Sequence, residues 1–327
     1  MFEGIIIDEK NKLMLSKAIS NNRIHHCFIF IGPEGTNKRK AAIEFAKSIL
    51  CSGEEKPCND CTSCNKINSG NHPDFIELFP LESSIKINQI REMQKMMNRK
   101  SYEGGKQVFI INKSETMGIP AQNSLLKTLE EPNKGVVVIL ISQSRERILP
   151  TILSRSQMLY FNPLDRVTFQ SIIKAENSIE GIYMDDLYEL SQGCIGKAES
   201  ILKDPEEINK FKLFKKYILA IVKGDYQQIF EFSRWIKDIK LNDQYILDYL
   251  LILLKNGLYA KLDDSPNAYK EISDYLTYEG FHDIIMNIIE LQGKIKHNIN
   301  FQLQVERLLL RIQEEKVFND KGHRNSV

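Results

Sequence analysis

Residues 28–39 read Phe28-Ile29-Phe30-Ile31-Gly32-Pro33-Glu34-Gly35-Thr36-Asn37-Lys38-Arg39, or FIFIGPEGTNKR. The apolar run predicts a short buried strand, and Gly32, Pro33 and Gly35 turn the chain sharply after it. A helix is expected from about Lys38, because Ala41, Ala42, Phe45, Ile49 and Leu50 recur at helical spacing. Strand, glycine-rich turn and helix form the setting of the phosphate-cradling P-loop, GxxxxGKS/T. Gly32 and Lys38 stand at its first glycine and its lysine, but the second glycine is Asn37. Asn accepts a left-handed backbone better than most side chains, yet it keeps a Cβ where amides should close around phosphate. Arg39 replaces the hydroxyl residue that would hold Mg²⁺. The stretch reads as a P-loop scaffold that has lost hydrolysis, with nucleotide binding left open.

Downstream, a short strand at about Asp74 to Leu78 and a helix from Asn88 to Asn98 lead to a second buried strand, Gln107 to Asn112. In a P-loop ATPase that strand ends in Asp-Glu, the Asp helping to hold Mg²⁺ and the Glu polarising the attacking water. Here those places carry Asn112 and Lys113, an amide that cannot stand in for a carboxylate and a cation that repels the metal. Pro120 opens the helix containing AQNSLLKTLEEPN, which closes at Pro132, and Val136 to Ile141 is apolar without alternation. Such a run suits a parallel strand covered on both faces, so the alternating elements predict an α/β three-layer domain. A helix at Leu13 to Ile19 and a strand at His25 to Ile31 precede it. His25 and His26 should point to opposite sides of that strand and so not share a ligand.

Between the P-loop helix and the next strand, Cys51, Cys58, Cys61 and Cys64 give C-x6-C-x2-C-x2-C in a polar insertion. Two-residue spacers turn consecutive sulfurs toward one ion, which suits tetrahedral structural Zn²⁺ with no open position for catalysis. Disulfides are the rival, disfavoured by the cytoplasmic location assigned because MFEGIIIDEK lacks the basic and apolar regions of a signal peptide. Cys27 and Cys194 are expected as buried apolar fillers. With 327 residues, two or three domains are expected. The balance of 44 basic against 43 acidic residues confines any nucleic-acid contact to a local patch.

Taken together, the GPEGTNKR loop, the cysteine insertion, HPDF at His72 to Phe75, NSLLKTLEEPN at Asn123 to Asn133, LPTILSRSQMLYF at Leu149 to Phe161 and INFQLQVERLLLRI near the end identify a relationship. The chain resembles the clamp-loader AAA+ ATPases, most closely their delta-prime branch in bacterial DNA polymerase III. The resemblance covers the first 160 residues closely and the C-terminal half mainly through its last helix. It implies a AAA+ P-loop domain with its zinc insertion at 1–163, a small helical lid at 164–206 and an all-α collar at 207–327. It also implies that Ser154 and Arg155, with Ser156 in place of a usual cysteine, supply an arginine finger to ATP on a neighbouring subunit.

A planar, permanently charged fork suits that task, and fingers are worth about 10³ to 10⁵ in turnover. Active members carry a sensor arginine in a GxLRxA stretch of the lid. Here the stretch is Gly193-Cys194-Ile195-Gly196-Lys197-Ala198, so Gly196 holds that place and Lys197 points about a third of a turn away. The implied function is that of a non-hydrolysing, catalytically degenerate subunit beside gamma/tau ATPase subunits and delta in a five-subunit ring. That ring places a sliding clamp on primer-template DNA. The alternatives are an ATP-hydrolysing gamma/tau-like motor with a drifted P-loop and a zinc-dependent nucleic-acid adaptor. Asn37, Arg39, Asn112 and Lys113 oppose the motor. The stretch from Gly53 to Ser63, with two glutamates, an aspartate, one lysine and no aromatic, opposes the adaptor.

In the C-terminal part, Phe301, Val305, Leu308, Leu309 and Ile312 share one face of a final helix, Trp235 is a packing residue, and Asn319 to Val327 should fray.

Overall fold

A computed structural model describes the chain apart from residues 3, 104, 177–180, 205, 240, 264–268, 295–299 and 325–327. The side chains of residues 176, 181–183, 263 and 315–324 are also outside the description. The boundary expected at Asp204-Pro205 touches residue 205, which lies outside the described residues. The chain divides into two compact units, residues 1–177 with 191–200, and residues 178–190 with 201–327.

The first unit is built on five parallel strands, β1 (Cys27–Ile31), β2 (Phe75–Leu78), β3 (Gln107–Ile111), β4 (Val136–Ser142) and β5 (Gln157–Tyr160), in the order β2-β3-β4-β1-β5. Its helices are α1 (Glu9–Ser20), α2 (Lys38–Leu50), α3 (Thr62–Asn68), α4 (Ile87–Met97), α5 (Ile119–Glu130), α6 (Pro150–Leu153) and α7 (Arg166–Glu176). Alternation along the buried strands makes the layers. Phe28, Phe30, Val137, Ile139 and Ile141 pack with Leu15, Ala41, Phe45 and Ile49 of α1 and α2. Cys27, Ile29, Phe109, Val138 and Leu140 pack on the opposite face with Ile90 and Met93 of α4 and Leu125 of α5. Each fully buried large apolar side chain contributes about 1.5–3 kcal/mol, so β1, β3 and β4 act as the spine of the unit. This is a three-layer α/β arrangement with a parallel sheet.

β5 was not expected from its sequence; QMLY is neither uniformly apolar nor cleanly alternating, and its pairing with β1 makes it a strand. Asn11 of α1 donates to the Tyr160 carbonyl at 2.7 Å, which helps to cover this sheet edge. His25 and His26 lie ahead of β1, and their ring centroids are only 4.3 Å apart. The expectation of opposite faces fails because strand alternation begins at Cys27.

Two helices, α8 (Gly181–Ser191) and α9 (Ile195–Lys203), cross from one unit's residues to the other's. The second unit continues with α10 (Glu206–Val222), α11 (Gln227–Asp238), α12 (Asp243–Asp263), α13 (Lys270–Tyr275), α14 (Tyr278–Lys294) and α15 (Phe301–Arg324). Trp235 stacks among Tyr217 and Phe232 at 5.6 and 6.0 Å, a packing place. Val305, Leu308, Leu309 and Ile312 of α15 are buried, as the apolar stripe predicts. The expected tail differs: α15 continues through Arg324, and 325–327 lie outside the described residues. Among the described residues, no helix is long and apolar enough to cross a membrane.

Candidate functional site

In a parallel sheet all strands end on one edge, and ligand crevices form there beside the strand where the connections change direction. That strand is β1, flanked by β4 and β5, so the loop after it opens into the crevice. A cleft of ≈ 490 Å³ lies there, lined among others by Lys38, Arg39, Asn112, Lys113, Glu115 and Gly196.

The loop itself is turned inward. Lys38 is only 6% exposed, and its ammonium donates to the carbonyl of Gly32 at 2.5 Å, to that of Pro33, and to the Thr36 hydroxyl at 3.2 Å. Burial pushes its pKa down to about 8. Asn37 takes the left-handed conformation, φ 60°, which the lost glycine would have adopted freely, and its amide donates to the Ile6 carbonyl at 3.2 Å. The N-terminus of α9 closes on the same turn. The Gly196 N–H donates to the Gly35 carbonyl at 2.8 Å. A Cβ at 196 would lie 3.1 Å from that carbonyl oxygen and 3.3 Å from Asn37 Oδ1, so the place of the sensor arginine is one of close backbone approach.

The two places that would hold Mg²⁺ meet a residue that the sequence did not single out. Arg39 Nε and Nη2 donate to the two carboxylate oxygens of Glu77 at 3.0 and 2.7 Å. Asn112 Nδ2 donates to Glu77 Oε1 at 3.1 Å. A bidentate guanidinium–carboxylate pair thus joins α2 to β2 beside the cleft. Two further cations around the loop are also engaged: Lys40 with Glu199 at 2.7 Å and Lys113 with Glu34 at 3.8 Å. Glu115, three residues past Asn112, also lines the cleft, and its charge acts on Lys38. Its signal in the sequence was weak, because it lies beyond the strand end where the acidic pair is sought.

Ser154 and Arg155, the residues expected to form a finger, sit elsewhere in the first unit, in the turn after α6. Ser154 N–H donates to the Pro150 carbonyl at 2.9 Å and Arg155 N–H to that of Ile152 at 3.1 Å. The Ser156 hydroxyl donates to the Ile152 carbonyl at 2.7 Å and lies 3.0 Å from Cys27 Sγ. Arg155 Nη1 donates to the Thr151 carbonyl at 3.0 Å, and Nη2 lies 3.1 Å from Glu130 Oε1. His26 packs against the backbone of both Leu129 and Arg155; burial and the neighbouring His25 hold its pKa below the usual imidazole value.

The four cysteines are gathered as the spacing requires, with all four sulfurs within 4.8 Å of one another. Cys51 follows the end of α2, and Cys61 caps α3, its sulfur accepting the Cys64 N–H at 3.4 Å. Backbone N–H groups of Gly53 and Cys58 point at Cys51 Sγ, and that of Cys61 at Cys58 Sγ, at 3.3–3.4 Å. Such donors stabilise thiolate charge. A Cβ at Gly53 would meet Cys58 Sγ at 2.9 Å, so the turn is folded tightly around the sulfurs. The cluster can hold a metal such as zinc. Beyond it, the Ser63 hydroxyl bonds His72 Nε2 at 2.8 Å, and His72 Nδ1 accepts the Asp74 N–H at 3.0 Å. Asp74 in turn accepts from the Ser101 hydroxyl at 2.9 Å and from the amides of Tyr102 and Glu103 at 3.0 Å. HPDF therefore ties α3 to the entrance of β2 and to the loop before β3.

The family model described as DNA polymerase III, delta subunit, matches residues 7–165. DNA polymerase III subunit delta' of Bacillus subtilis is 30% identical over 92% of this chain and 94% of that one. The delta' subunit of Pseudomonas aeruginosa is 36% identical over 40% of this chain and 41% of its own length. DNA polymerase III subunit tau of Bacillus subtilis is 33% identical over 54% of this chain, but only 31% of that protein is covered. At 30% identity over nearly the whole length of both chains, the match to the Bacillus delta' subunit places this chain in the DNA polymerase III delta' subunit family.

Proposed function

We propose that this chain is the non-hydrolysing member of a clamp loader. In this reading it presents Arg155 to ATP held by an adjacent gamma/tau-type subunit in a five-subunit ring that also contains a delta subunit. The ring then opens a sliding clamp and seats it on primer-template DNA. The observation that carries the reading is the convergence of Arg39 and Asn112 on Glu77, while Arg155 stays partly exposed. An arginine at the hydroxyl place brings a fixed positive charge to the metal's position, and Glu77 neutralises it there. Lys38, folded onto its own loop, has three oxygen acceptors to leave before it can reach a phosphate.

The same reading assigns structural Zn²⁺ to Cys51, Cys58, Cys61 and Cys64, where four ligands leave no site for chemistry. It also assigns a cytoplasmic location and the division near residues 163 and 206 into P-loop domain, lid and collar. The drifted-motor alternative needs Arg39 and Asn112 to release Glu77 and readmit a metal.

Assembly tests the proposal. Mixed with purified tau and delta subunits, the full chain is expected to co-elute with both in size-exclusion chromatography as one complex that then retains the clamp in the presence of ATP. Elution of this chain apart from the other two would contradict it.

A further inference from the structure

Arg155 is held by its own subunit in a way that gives Glu130 a role. The backbone of the finger turn is fixed by the bonds to Pro150 and Ile152 and by β5, which starts two residues later in register with β1. Only the side chain is left to be placed, and an arginine has many rotamers to lose. Three contacts restrict it, the Thr151 carbonyl and, at 3.5 Å, the Ser154 hydroxyl on Nη1, and the Glu130 carboxylate on Nη2.

Glu130 is the last residue of α5, where the negative end of the helix dipole disfavours a carboxylate unless a cation accompanies it. His26 lies beside the backbones of Leu129 and Arg155, between the two segments. A guanidinium carries five N–H donors in one plane. The contacts with Thr151 and Glu130 fall on Nη1 and Nη2, one on each prong of the fork, and the guanidinium has further N–H donors to offer a phosphate. The pair's side chains are 37% and 50% exposed, so the contact works as a guide rather than as a lock.

We propose that Glu130 is a positioning residue for the arginine finger: it narrows the rotamers open to Arg155 to those from which the guanidinium reaches the neighbouring subunit's ATP. The inference rests on the reading of Arg155 given above, and the test separates the two. In the complete assembly with its ATPase partners, single-turnover ATP hydrolysis is followed for the wild type, Glu130→Gln, Glu130→Asp, Arg155→Ala and the double variant Glu130→Gln/Arg155→Ala, and the phase that Arg155→Ala slows is taken as the served site.

Glu130→Gln is expected to slow the single-turnover phase of the site that Arg155 serves about fivefold, the scale of a solvent-exposed ion pair, with the ATP concentration for half-maximal rate unchanged. Glu130→Asp should restore part of the loss, and Glu130→Gln should change nothing once Arg155 is alanine. A rate for that phase that stays at the wild-type value or rises in Glu130→Gln overturns the proposal, the rise showing that the carboxylate competes with phosphate. The same loss in the Arg155→Ala background also overturns it, because Glu130 would then act on structure generally. If Arg155→Ala alone leaves turnover intact, the finger reading itself falls, and the role of Glu130 with it.

Discussion

Arg155→Ala should remove about 10³-fold or more of the turnover at the one ATP site that this chain serves, while leaving the chain folded and able to assemble. The size follows from the task. A guanidinium set against developing negative charge in a water-excluded site acts where electrostatic interactions are strong and needs no reorganisation at the moment of reaction. Assembly should survive because Arg155 stabilises its own subunit little; its ion pair with Glu130 is half open to solvent, a setting worth about 1 kcal/mol at most. An assembly with several motor sites keeps the turnover of the sites fed by other subunits. Steady-state rates then fall by one site's share, and single-turnover hydrolysis shows the slow site as a separate phase. Arg155→Lys should recover little, since an ammonium offers a point charge in place of a planar fork.

Removal of the metal should be the second large effect. Denaturation of the purified chain is expected to release about one equivalent of zinc to a chromogenic chelator, and finding none would remove zinc from the account. Structural zinc sites contribute on the order of 10 kcal/mol of apparent binding energy at neutral pH, far more than the polar contacts around the cluster. Cys64→Ser, or prolonged chelation, should therefore disorder the insertion. Hydrogen exchange would accelerate across residues 51–72, with a smaller increase in the loop at 101–103 that Asp74 holds. The strands β1, β3 and β4 should keep their protection, because their burial does not depend on the insertion.

Most of the fold was legible because the relevant signals are local. Uninterrupted apolar runs marked β1, β3 and β4, and the helical spacing of Ala41, Ala42, Phe45 and Ile49 marked α2. The cysteine spacing announced a cluster whose sulfurs do converge. The missing information was non-local. β5 exists because it pairs with β1, which the residues Gln157 to Tyr160 alone do not announce. Glu77 lies 38 positions from Arg39 and 35 from Asn112, and only the parallel pairing of β2 with β3 brings it between them. Gly196 looked like a simple loss of an arginine, whereas its Cα sits against Gly35 and Asn37. The histidine pair failed for a third reason, as alternation was applied to residues just before the strand begins.

The central claim is that this subunit serves another's ATP and splits none of its own, and the most direct measurement is magnesium-dependent ATP hydrolysis by the purified chain alone, with a tau subunit as the positive control. The predicted result is phosphate release indistinguishable from the buffer blank at every ATP concentration tried. Saturable turnover that requires magnesium and disappears in Lys38→Ala would contradict the account.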